Sequence, residues 1–149
     1  MMKTLAENRK ARFDYEILET FEAGIILTGQ EVKSILAGRL NLAGSYVIIK
    51  PNGAYLLNAN LPPYQPKNTP SDYDPSRSRG LLLKKEELKY LLGKAKEGSL
   101  TIVPLSCYFN KSKIKLSIGL ARHKKTQDKR ETIRERQTNR EMNRALKRG

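Results

Sequence analysis

Phe13, Tyr15 and Ile17 alternate with Asp14, Glu16 and Glu19, a period of two that predicts a half-buried strand over residues 12–19. The run FEAGIILTG after it predicts a more apolar strand, with Gly24 at a bulge or tight bend. The period then changes. In TGQEVKSILAG, Thr28 and Glu31 have capping-box spacing, Val32, Ile35 and Leu36 recur at helical spacing, and Gly38 supplies a stop. SYVIIK-PNG-AYLLNAN predicts a hairpin whose turn uses Asn52 and Gly53 at positive φ. Residues 61–80 are proline-rich and aperiodic, which predicts a long loop. KKEELKYLLGKAKEG predicts a second helix, with Leu88, Leu91, Leu92 and Ala95 inward and Gly98 as its cap. Two strands follow around a turn at residues 110–112. In the second, Ile114, Leu116 and Ile118 alternate with Lys113, Lys115 and Ser117, giving one wet, basic face.

Five or six short strands interrupted by one early and one late helix give no strand–helix alternation, so a parallel sheet is not expected. The pattern predicts a mainly β fold with flanking helices: a small antiparallel barrel of the oligonucleotide-binding type. The barrel is expected over residues 1–121, with a separate basic tail over 122–149. From Thr126 onward the only apolar residues are Ile133, Met142, Ala145 and Leu146. So narrow a stripe buries too little surface to offset ordering entropy, yet the tail has no proline and its only glycine is the last residue. The tail is therefore expected to be disordered when free and helical on a polyanion.

Charge gives that tail a purpose. The 149-residue chain has a formal net charge of +14. Residues 121–149 hold 11 lysines and arginines against 4 acids, net +7, and the first 120 residues carry the other +7. Half the excess charge thus lies in a fifth of the chain, which makes nucleic acid the expected partner. No apolar run approaches the roughly 20 residues that span a bilayer, so no membrane partner is expected. The N-terminus shows no apolar secretory segment, and the single Cys107 permits no internal disulfide. A cytoplasmic monomer is expected.

Catalytic chemistry is hard to find. His123 stands alone among lysines, Cys107 lies in the apolar run IVPLSCYF, and no paired Cys/His spacing, P-loop or dinucleotide fingerprint is present. The acids Asp72, Asp74, Glu86 and Glu87 are of a commonplace kind. No enzyme activity, cofactor or metal is expected. A binding module is, either a dedicated RNA-binding factor or, alternatively, a structural ribosomal protein or nonspecific RNA chaperone.

Three blocks decide between these. NRKARFDYEILETFEAGIILTGQEVKSILAGRLNLAGSYV, DYDPSRSRGLLLKKEEL and GLARHKKTQDKRETIRER together resemble the small protein B family, the SsrA-binding proteins of bacterial trans-translation. The likeness runs from Asn8 to about Arg136 and is thinnest over residues 61–71. The resemblance implies an oligonucleotide-binding barrel that binds the tRNA-like domain of tmRNA and brings it to stalled ribosomes, with the tail helical in the empty mRNA channel beside rRNA of the decoding centre. By position, Asn8, Glu22 and Gly24 match the family's RNA-binding face, and Arg9, Lys10 and Arg12 beside them can neutralise phosphates. A carboxylate near RNA repels unless it accepts from a base amine or 2′-hydroxyl, so Glu22 would carry specificity rather than affinity. Lys33, Arg77, Arg79 and Lys84 match or approximate basic family positions, and Asp74 is expected to turn its loop through a side-chain-to-backbone bond. In the tail, Lys124, Lys125, Asp128, Lys129 and Arg130 match a signature for accommodation on the ribosome, with Arg134 beyond it. Gln127 replaces the usual histidine and His123 the usual glycine, while Leu36 and Gly80 stand where the family is often basic.

Overall fold

The computed structural model describes residues 2–125 together with Gln137. The tail from Thr126 onward, including Gln127, Asp128, Lys129, Arg130 and Arg134, lies outside the described residues apart from Gln137. In chain order the elements are β1 (Lys3–Glu7), α1 (Arg9–Asp14), β2 (Tyr15–Ile25), α2 (Gly29–Leu36), β3 (Tyr46–Lys50), β4 (Gly53–Leu57), β5 (Arg79–Leu82), α3 (Lys85–Ala95), β6 (Leu100–Asn110) and β7 (Lys113–His123), with one 3₁₀ turn at Pro66–Asn68.

The strands pair antiparallel in the order β1-β6-β3-β4-β5-β2-β7, and β6 also pairs with β7. The ring therefore closes, as the all-antiparallel pattern predicts, and β1 lies outside it against β6. The interior is filled by Ile35, Leu42, Leu56, Leu61, Leu91, Ile102, Leu116 and Ile118, each at most 2 % exposed. A second, smaller core of Ala11, Val103, Leu105 and Ala121 lies where α1 packs against β6 and β7, with Tyr15 and Ile17 at its rim. Gly119 belongs to this layer: a Cβ there would come within 3.1 Å of both Ile17 and Leu105, too close for either neighbour to stay in place. Among the described residues no helix is long and apolar enough to cross a membrane.

Several expected elements are corrected. Residues 9–14 are helical, because the Asn8 side chain caps them, and the strand starts at Tyr15. That strand runs unbroken to Ile25, and its register shift falls between Ile17 and Glu19 rather than at Gly24. β1 and β5 were not expected: β1 is short and mostly polar, and β5 sits at the end of the proline-rich loop. In α2 the buried positions are Glu31, Ser34 and Ile35, which rotates Leu36 outward to 46 % exposure. Ala95 is likewise exposed, and α3 ends there, short of Gly98. At the β3–β4 turn Gly53 alone has positive φ (155°). β7 continues through Arg122 and His123, two residues beyond the expected domain limit.

The β6–β7 turn is tight and carries no glycine. Lys111 and Ser112 both adopt left-handed conformations, with φ of 51° and 64°, each costing an L-residue about 1 kcal/mol. Ser112→Gly is therefore expected to stabilise the fold by about 1 kcal/mol in urea unfolding. An unchanged midpoint would show that the turn bears no strain.

Candidate nucleic-acid interface

The side-chain alternation of β2, β6 and β7 puts one set of residues on the outside of the barrel. Ser117 pairs with Glu22, and Lys115 pairs with Gly24 on one side and Tyr108 on the other. Gly24 pairs in turn with Leu82 of β5. Paired residues share a face, so Tyr108, Lys115, Ser117, Glu22, Gly24 and Leu82 form one strip across four strands. Lys113 extends it along β7, two residues from Lys115.

Gly24 is the low point of that strip. A Cβ at this position would come within 3.3 Å of the Leu82 Cβ, so the backbone is left bare between Leu82 and Lys115. An open groove of about 350 Å³ results, lined by Gly24, Val32, Leu82, Phe109, Lys113 and Lys115 among others. Leu82 is 62 % exposed. An apolar floor beside two lysines suits a ribose or base flanked by phosphates. Glu22 is exposed and accepts a hydrogen bond of 2.5 Å from the Tyr108 hydroxyl.

The same outer face, farther along β6 and β7, is covered by α1. Its N-terminus is fixed by Asn8, whose Oδ1 accepts from the Ala11 N–H (3.1 Å) and whose Nδ2 donates to the Pro104 carbonyl (2.8 Å). Asn8 is only 2 % exposed. Both of its side-chain polar atoms are used in the fold, and it holds α1. Arg9, Lys10 and Arg12, by contrast, are exposed on that helix. Arg9 is 92 % exposed at its side chain, with Glu7 at 3.9 Å.

Arg79 is also set within the fold. It is 0 % exposed. Its Nε donates to Glu31 Oε2 at 2.6 Å, Nη1 to the carbonyls of Ala59 and Arg77, and Nη2 to that of Pro75. Arg77 Nη2 donates to Glu31 Oε1 at 2.5 Å, and Thr28 N–H donates to the same oxygen. Burial would raise the Glu31 carboxyl, but the bonds from Arg77, Thr28 and Arg79 and the Arg79 charge hold it down at about 2. This cluster ties the proline-rich loop to α2, so Arg79 orders the loop and is not available to a ligand. Arg77 keeps its side chain 39 % exposed and faces both ways. Asp74 turns the loop as expected, accepting from the Ser76 N–H at 2.9 Å. Lys33 on α2 and Lys84 before α3 are exposed.

The root of the tail is anchored at the α1 end. Lys124 N–H donates to the Asp14 carbonyl at 2.9 Å, and the His123 ring meets Tyr15 edge-on with centroids 5.0 Å apart. His123 and Lys125 are exposed, and Lys124 is half-buried. Cys107 is 0 % exposed and burial pushes its thiol up to about 12, which leaves it unsuited to nucleophilic chemistry.

Sequence reasoning thus places Glu22 and Gly24 in the strip, and it misses Tyr108, Leu82, Lys113 and Lys115 as their companions. The alternation of residues 113–118 does signal a basic face. What the sequence lacks is the register that sets this face against Gly24.

The sequence model of the family described as "SmpB protein" matches residues 5–148. The SsrA-binding protein of Gloeothece citriformis is 51 % identical over 146 residues, covering 98 % of this chain and 94 % of its own. That of Acaryochloris marina is 50 % identical over 147 residues, covering 99 % and 96 %. A solved chain described under "tmRNA-SmpB: a journey to the center of the bacterial ribosome" superposes with a TM-score of 0.69 at 48 % identity, over 87 % of this chain and 94 % of that one. The match runs almost from end to end, and the chain belongs to the SmpB family of SsrA-binding proteins.

Proposed function

We propose that this chain binds the tRNA-like domain of tmRNA and delivers it to ribosomes stalled on truncated messages, as a non-enzymatic cytoplasmic RNA-binding factor. The likeness to the solved tmRNA-SmpB chain, at 48 % identity over most of both chains, carries this reading. The outer strip supports it: Glu22 offers an acceptor, Gly24 a bare backbone, Leu82 an apolar floor, and Lys113 and Lys115 positive charge. Arg9, Lys10 and Arg12 continue that charge along α1, with Lys33, Arg77 and Lys84 flanking the loop side.

The barrel, whose β7 runs through His123, holds tmRNA in this reading, and the tail that follows it meets the ribosome. His123, Lys124 and Lys125 set the direction in which the tail leaves. Gln127, Asp128, Lys129, Arg130 and Arg134 contact rRNA around the decoding centre and the vacant mRNA channel. Replacing Asp128, Lys129 and Arg130 together by alanine is expected to leave tmRNA affinity within about twofold while abolishing peptide tagging on truncated messages. Equal loss of tmRNA affinity and tagging would refute this division of labour.

A further inference from the structure

Glu22 is an acid in a strip that otherwise favours phosphate, and the structure holds it in an unusual way. Tyr108 lies on β6 and Glu22 on β2, with β7 between them. The tyrosine hydroxyl reaches across β7 and donates to Glu22 Oε2 at 2.5 Å. Tyr108 is 8 % exposed, whereas Glu22 is open to solvent. One partner is thus set in the protein and the other is presented by it.

We propose that Tyr108 is a positioning residue for RNA recognition: it fixes the Glu22 carboxylate so that Oε1 is left as a preformed acceptor for an RNA 2′-hydroxyl or exocyclic amine. This rests on the reading that the outer strip binds tmRNA. A free glutamate loses substantial rotamer entropy when it is immobilised, and that loss weakens binding. Tyr108 imposes the order before RNA arrives. The donor is permanent, because burial first, and then the hydrogen bond to Glu22 and its charge, raise the Tyr108 hydroxyl. Lys115, cross-strand from Tyr108 on the same face, offsets the repulsion between the carboxylate and RNA phosphate.

The test is titration of a tRNA-like-domain transcript of tmRNA with wild type, Tyr108→Phe, Glu22→Ala, the double variant and Glu22→Asp, with melting curves alongside. Tyr108→Phe is expected to weaken binding on the order of tenfold, the scale of a charge-assisted hydrogen bond. Its dependence on log salt should be unchanged, because no phosphate contact is lost. In the Glu22→Ala background the same change should cost under about twofold. Glu22→Asp keeps the charge but withdraws it from Tyr108, and should bind as weakly as Tyr108→Phe. Wild-type binding by Glu22→Asp would overturn the proposal even if Tyr108→Phe melts early. Wild-type binding by Tyr108→Phe and Glu22→Asp, with Glu22→Ala weak, would overturn the positioning role and leave the strip reading standing. Additive losses in the double variant would also overturn it. If neither Glu22→Ala nor Tyr108→Phe changes binding, the positioning role and the RNA-facing role of Glu22 fall together.

Discussion

Replacing Glu31 by leucine is expected to destabilise the fold by about 3–5 kcal/mol and lower its melting temperature by roughly 10–20 °C. The magnitude comes from what remains. The Arg79 guanidinium is 0 % exposed and Glu31 1 % exposed, so the variant would bury a cation whose Nε had donated to Oε2 at 2.6 Å. Arg79→Met in the same background removes that cation and should recover part of the loss, because an apolar pair can replace a buried ion pair far more cheaply than a lone charge can persist. The sign with pH also follows. The Glu31 carboxyl is lowered from the ordinary 4.5 to about 2 in the folded protein. Its contribution is then fully present above the unfolded value and lost as pH falls from about 4.5 towards 2. Melting curves between pH 7 and 2 should fall steeply through that window for the wild type and less steeply for Glu31→Gln. Parallel falls would mean that other carboxylates govern acid unfolding.

The second large effect concerns affinity. Lys113→Gln with Lys115→Gln is expected to weaken tmRNA binding on the order of 30-fold and to make the slope of log affinity against log salt shallower by about 2, one for each phosphate contact removed. Lys113 is exposed and Lys115 half-buried on the outer strip, so stability should change little. A slope that stayed the same would move the phosphate path away from β7, towards the cations of α1.

The barrel was legible because its interior residues follow simple periods. Ile114, Leu116 and Ile118 alternate with lysines and serine, and two of the three are fully buried. The capping box of Thr28 and Glu31 was legible because it is local. What escaped was whatever depended on partners distant in sequence. Arg79 reads as one more surface cation until the loop folds Glu31 against it across 48 residues. Nothing local shows that Pro104, 96 residues on, takes the Asn8 amide. The α1 helix read as a strand because Phe13, Tyr15 and Ile17 alternate, although only Tyr15 and Ile17 belong to β2. Leu82 lies in the apolar triplet of residues 81–83, and only cross-strand register turns it outward.

β2 has its longest partner in β7, with pairs from Tyr15↔His123 to Gly24↔Lys115, and β6 spans β1, β3 and β7. Assembly must therefore wait for the most distant contacts in the chain, the arrangement expected to fold slowly for its size. A nascent chain interrupted before residue 113 would leave β2 without β7 from Tyr15 to Gly24, held only by β5 at Gly24 and Ile25, an edge open to pairing with any neighbouring chain.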